Sequence, residues 1–233
     1  MSTPIECDIN KTASVERLLK VLAEGRDQQW YDTFYEDLKT ASFACGQPQT
    51  SHGPDGFPYF ELHLPKPNEP FESYCISSLA DFLLENGLGV AINPSEGRAD
   101  WVLSYGDILN LKLNGRFYTM PENDPLPEYE VLSEGEKVMI AQPSESYLPS
   151  VTRRILRSFL NYLGVSEPKA LLLVRHVKGE PVSQLAFNIF PEDVESEEVY
   201  NYRLQQLCWF LPRHYIVVGF SKNDDAVRSF ADL

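Results

Sequence analysis

Between Lys137 and Lys222 the sequence switches repeatedly between two hydrophobic periods, and this alternation limits the folds open to the chain more than any other feature. KVMIAQP and HYIVVGFSK are short apolar runs rich in Val, Ile, Phe and Tyr. PKALLLVRHVKGEPVSQLAFNIF splits into two more around Lys178-Gly179-Glu180-Pro181, so four strands are expected. Two helical patterns, PSVTRRILRSFLNYLG and SEEVYNYRLQQLCWFL, lie between them. The order strand, helix, hairpin, helix, strand predicts a ferredoxin-like β-α-β-β-α-β unit, an antiparallel sheet with both helices on one face.

Spacing supports both helices. Val151, Ile155, Phe159 and Tyr162 recur at helical intervals, widened by Leu156, Leu160 and Leu163, while Arg153, Arg154, Arg157 and Asn161 fall opposite. A core position for Phe159 predicts that Phe159→Ala costs roughly 3 to 5 kcal/mol. Pro149 suits the first turn and Gly164 the position past the end. Ser196 reads as the N-cap of the second helix, with Glu197 and Glu198 in its first turn, Tyr200, Leu204, Leu207 and Leu211 on its apolar face, and Pro212 as its stop.

The N-terminal half is less regular. After a leader to residue 13, Ser14 is expected to cap a helix through about Glu24, with Val15, Leu18, Leu19 and Leu22 inward and Gly25 at its close. A second helix over about Gln28–Thr40 carries an aromatic stripe of Trp30, Phe34 and Tyr35 with Leu38, and Tyr31 beside it. Residues 47–56 read as a loop. PYFELHL and FESYCIS read as strands joined by a proline-rich connection too stiff for a two-residue hairpin. A helix follows from about Ser78 to Glu85, ended by Asn86-Gly87. GVAINP and WVLS then form short strands about a Ser95–Arg98 turn, and YGDILNLKLNG is helical. PENDPLPEYE, residues 121–130, has the proline and acid content of a linker. The expectation is an α+β chain: a mixed helix and sheet domain over 14–120, then the ferredoxin-like domain over 131–233.

Charge bears on partners. The net charge of -14 opposes binding to a phosphate backbone, which needs clustered Lys and Arg, so nucleic acid is not expected as a partner. The acidity is uneven, with 21 acidic and 9 basic side chains before residue 131 and 13 and 11 after it. Such a surface suits a basic protein, since complementary potentials speed association. Tyr31, Trp101 and Phe117 are candidate partner-binding anchors in the acidic half, provided they are not core. No apolar run approaches the ~20 residues that span a bilayer, and MSTPIECDINK lacks the basic and apolar regions of a signal peptide, so a cytoplasmic protein is expected.

Motifs for catalysis are missing. His52, His63, His176 and His214 have no metal-ligand spacing, and Cys7, Cys45, Cys75 and Cys208 have no C-x-x-C arrangement, so free thiols, no metal and no cofactor are expected. A Cys45 dyad with His52 or His63 would lack an orienting third residue. GLGV and NPSEG lack the phosphate-cradling glycine pattern, Ser144, Ser146 and Ser150 lie outside any nucleophile elbow, and the acids of Glu192–Glu198 lack the glycine of a calcium loop.

Several runs nonetheless resemble a known family. VERLLKVLAEGRDQQWYDTFYEDLKTASFACG, PYFEL, FLLENGLGVAINP, MIAQPSESYLPSVTRRILRSFL, KALLLVRHV and RHYIVVGFS are similar to the enhanced serine sensitivity protein SseB family, over its N-terminal and C-terminal domains. The resemblance implies a cytosolic bacterial protein linked to serine sensitivity, and carries no catalytic residues. The expected function is therefore non-catalytic: a regulator or immunity-type inhibitor acting on a protein partner. The alternative is a regulatory protein that senses an amino acid, and the sequence does not specify the oligomeric state.

Overall fold

The computed structural model describes residues 6–96, 98–119, 138–177 and 180–233. The chain forms two compact units, Met1–Tyr118 and Thr119–Leu233, both mixed α and β. The expected linker, residues 121–130, and Lys178-Gly179 of the expected turn lie outside the described residues.

The first unit opens with helices α1 (Ile9–Leu19) and α2 (Gln28–Leu38). α1 starts earlier than the Ser14 reading. The Asp8 carboxylate accepts from the Asn10 N–H at 2.8 Å, and Thr12 Oγ1 both donates to Ser42 O and accepts from Ser42 N at 2.8 Å. Two anchors thus fix the first turn, and α1 ends before Leu22, which is exposed, not core. In α2, Asp27 caps the Trp30 N–H, and Trp30, Phe34 and Leu38 are buried as the stripe requires.

Four strands then form a sheet in the order β1-β2-β3-β4: β1 (Ala44–His52), β2 (Pro58–His63), β3 (Gly89–Ile92) and β4 (Trp101–Leu103). Residues 47–52 are therefore strand, where a loop was expected. They are polar because they form an exposed edge, and β1 is irregular between Cys45 and Thr50. FESYCIS is the opposite correction: Tyr74 makes one bridge to Phe43, and Cys75 becomes the N-cap of α3 (Ile76–Asn86). Gly87, at φ +69°, ends that helix with its N–H on the carbonyls of Leu83 and Leu84. α3 carries the chain from β2 to the parallel strand β3. After the antiparallel β4, α4 (Tyr105–Asn114) begins with a reciprocal cap: Asp107 N–H donates to Ser104 Oγ at 3.1 Å, and Ser104 N–H to Asp107 Oδ2 at 2.9 Å. α4 packs on α3, β3 and β4, and its residues Tyr105–Leu111 are buried.

The second unit has the expected element order: β5 (Met139–Ala141), α5 (Ser150–Tyr162), β6 (Lys169–Val177), β7 (Glu180–Phe187), α6 (Glu197–Cys208) and β8 (Ile216–Val218). The sheet order differs. A ferredoxin-like sheet sets its third strand between the first two, with all neighbours antiparallel; here the strands run β5-β6-β7-β8, and β7 and β8 are parallel. β6 already pairs with β5 on one side and β7 on the other, so the chain leaving α6 meets the free edge of β7. The helix between them leaves β8 running the same way. A further strand, β9 (Ala231–Asp232), pairs with β6, and Ala226 and Phe230 pack on the sheet face formed by Leu171, Leu173 and Ala186.

Along α5 the buried line is Thr152, Leu156 and Leu160, one position away from the expected centre. Phe159 is half-buried against Phe210 at 4.7 Å between ring centroids, and Tyr162 is 84% exposed. Phe159→Ala should therefore cost less than a fully buried ring. Denaturant melts should show Leu160→Ala losing about 2 to 5 kcal/mol and Tyr162→Ala about 0.5 kcal/mol or less; comparable losses would contradict this orientation.

Candidate functional site

Alternation along the first unit's strands decides what each sheet face carries. Phe60, Val90 and Leu103 are in register on the helix-covered face, as are Leu62, Ile92 and Trp101. The opposite face presents Tyr59 beside Gly89, then Glu61, Ala91 and Val102 in a row. A cleft of about 560 Å³ lies over this second face, within the range of small-molecule sites. Its floor is shallow at Ala91, whose side chain is small, while the Tyr59 ring covers Gly89. Gly89 has no room for more: a Cβ there would stand 2.5 Å from Leu103 O and 2.8 Å from the Tyr59 ring.

Two loops wall the cleft. One is the β1–β2 hairpin tip, with Ser51, His52 and Asp55. Gly53 N–H donates to Phe57 O at 2.9 Å, and the Asp55 carboxylate accepts from Phe57 N at 3.1 Å and from the Tyr59 hydroxyl at 2.5 Å. The tip is thereby tied to the floor. The other wall is Pro94, Ser95, Glu96, Arg98 and Ala99, where Ser95 and Arg98 exchange backbone hydrogen bonds of 2.6 and 2.9 Å. Asn93, at φ +48°, braces its base: its side chain accepts from Leu64 N at 2.9 Å and donates to Asp100 at 2.7 Å.

The charges of the cleft are mixed. Asp55, Glu61 and Glu96 face it with His52 and Arg98. Glu61 is the most enclosed of these: its side chain is 12% exposed, and His63 Nε2 stands 3.7 Å from its carboxylate. A carboxylate this far out of water favours a positively charged partner. Arg98, on an exposed turn, can meet an anion. The arrangement has the chemistry to hold a molecule with an ammonium group and a carboxylate.

The sequence-predicted anchors lie elsewhere. Phe117 is 1% exposed and belongs to the core, so it cannot grip a partner. Trp101 lies in an aromatic cluster, with ring centroids 4.7 Å from Phe34 and 5.7 Å from Trp30. Tyr31 is half-buried, edge-on to Trp30 at 4.9 Å. None of the three lines the cleft. The Cys45 dyad lacks activation: burial, then Glu72 and Glu61, pushes the thiol up, which disfavours the nucleophilic thiolate. His176 is exposed, and burial pushes the half-buried His214 down. Among the described residues, no group of three His, Cys, Asp or Glu side chains could hold a metal ion, and no helix is long and apolar enough to cross a membrane.

Sequence reasoning missed Glu61 because it takes three strands in register to make it a floor residue. The available signal was the alternation in PYFELHL, which sets Tyr59, Glu61 and His63 on one face, next to the small residues of GVA. No protein-family model matches the chain, and no curated protein or solved structure matches it either.

Proposed function

We propose that this chain is a non-catalytic regulatory protein whose first unit binds a small amino acid in the cleft over the sheet. The observation that carries the reading is the enclosed Glu61 carboxylate beside the small Ala91 on the cleft floor, with Arg98 on the wall. Glu61 would take the ammonium group and Arg98 the carboxylate, while Ala91 leaves space for a short side chain. The resemblance to the serine sensitivity family supports a small hydroxylated side chain. Titration calorimetry and thermal shift with a panel of amino acids test this. One of them should raise the melting temperature, and Glu61→Gln should weaken its binding at least tenfold, about 1.4 kcal/mol, with little change in the unliganded melt. No heat and no shift with any amino acid at millimolar concentration would overturn the reading.

A second reading keeps the regulator or immunity-type inhibitor, acting on a basic protein. Its support is the acidity of residues 1–130, 21 acidic against 9 basic side chains. In that case association slows as salt rises, since exposed charges are screened over about 8 Å at physiological ionic strength. A partner that binds at a rate independent of salt would remove this reading.

A further inference from the structure

The Glu61 carboxylate has a neighbour that the cleft does not use. Glu61 lines the cleft and His63 does not, yet both alternate onto one face of β2, and His63 Nε2 stands 3.7 Å from Glu61 Oε2. The His63 side chain is 36% exposed, so its ring can exchange a proton with water, while the carboxylate beside it is largely enclosed. β1 closes in on the pair: a Cβ at Gly46 would stand 2.6 Å from Glu61 Cβ, 2.9 Å from Glu61 Oε2 and 3.0 Å from His63 Nε2. A separation of 3.7 Å is too long for a hydrogen bond, so a neutral imidazole leaves the carboxylate open to a ligand. A protonated imidazole is a cation at that distance and pairs with it. The other charged groups near the pair are His52, Asp55, Glu96 and Arg98 around the cleft, and Glu72 on the β1 side, where burial, then Glu72 and Glu61, pushes up the Cys45 thiol. From β3, Glu61 meets only Ala91, which carries no charge.

We propose, resting on the cleft reading above, that protonated His63 competes with the amino acid's ammonium group for Glu61, so that a proton taken up by His63 releases the ligand. Both cations need the same counter-charge, and one carboxylate that already holds an imidazolium has little attraction left for an ammonium. The coupling is reciprocal: the bound ammonium makes His63 shed its proton, and the proton weakens the ammonium by the same factor. Histidine ordinarily changes its charge between about pH 5 and 8, and over the acidic side of that range a free amino acid keeps both of its own charges. Affinity therefore falls as pH falls, by at most tenfold per pH unit for one linked proton. His63 is thus a positioning residue that acts through Glu61, and it makes the site responsive to acid without touching the ligand.

The test is calorimetry on the full chain with L-serine, and with glycine and L-alanine in parallel, at about pH 5.5 and 7.5. Whichever of them binds should do so roughly tenfold more weakly at the lower pH. His63→Gln should bind with the same affinity at both, whereas His52→Gln, which alters the other histidine of the site, should keep the fall. A second measurement follows the His63 ring protons by NMR. In the unliganded chain Glu61→Gln should move His63 protonation to lower pH, and in the unsubstituted chain saturating amino acid should do the same. An affinity independent of pH, a fall that survives His63→Gln, or a His63 titration indifferent to Glu61→Gln would each overturn the competition and leave the cleft reading standing. No binding of any of the three at either pH removes the cleft reading, and the competition with it.

Discussion

Gly89→Ala is expected to destabilise the first unit by about 3 kcal/mol or more, because no small movement makes room for the added methyl group. The nearest atom to the new Cβ, at 2.5 Å, is the Leu103 carbonyl oxygen, part of the backbone that pairs β4 to β3. On the other side the Tyr59 ring stands at 2.8 Å. Either the β3–β4 pairing opens or the ring turns away. If the ring turns, its hydroxyl leaves Asp55 and the hairpin tip loses its tie to the floor, so the proposed amino-acid binding should fall together with stability. Denaturant melts of the variant decide the point. A loss below about 1 kcal/mol would mean that β3 and β4 are not this close.

The second large effect belongs to the other unit. A Cβ at Gly219 would lie 1.9 Å from the Tyr200 hydroxyl oxygen and 2.9 Å from Cζ of the same ring. Tyr200 sits on α6, so its hydroxyl packs the helix directly against the chain leaving β8 at Gly219. Gly219→Ala should cost about 2 kcal/mol, and Tyr200→Phe about 1 kcal/mol or less, since it removes only the hydroxyl packed on Gly219. In combination they should cost less than their sum by about 1 kcal/mol, because removing the hydroxyl also removes the closest obstacle. Strict additivity in the double-mutant cycle would show that the hydroxyl is not what excludes a side chain at Gly219.

These two glycines illustrate what could be read in the sequence. The element order from Met139 to Val218 was legible, since period and turn residues act within about twenty neighbours. Ser196 as a cap and Leu207 and Leu211 as core followed from the same local logic. Which strand lies beside which did not. Pairing of β5 with β6 joins Met139 to Val174, and that choice depends on which edges are free when the pieces meet. The same holds for the candidate site. The row Glu61, Ala91 and Val102 comes from three strands, and GLGV looked like a turn because the need for glycine at position 89 arises from Leu103, fourteen residues later. Aromatic stripes misled in the other direction. Trp101 and Phe117 looked available in an acidic half, but their apolar area is already satisfied within the unit.

The β6–β7 hairpin also has a kinetic consequence. Its eight registered pairs run from Ala170↔Phe187 to Val177↔Glu180, between segments adjacent in the chain, whereas β5, β8 and β9 reach it only after helices or a long tail. Loop closure is least demanding for the hairpin, which forms on the microsecond scale, so it is expected to be the template of the folding transition state. β5 and β8 join opposite edges and do not wait for one another. Substitutions at Leu171 and Leu185 should therefore slow refolding, while those at Ala231 and Val217 should mainly speed unfolding. The hairpin would commit the second unit to its fold, and the strands added later would set how long that fold lasts.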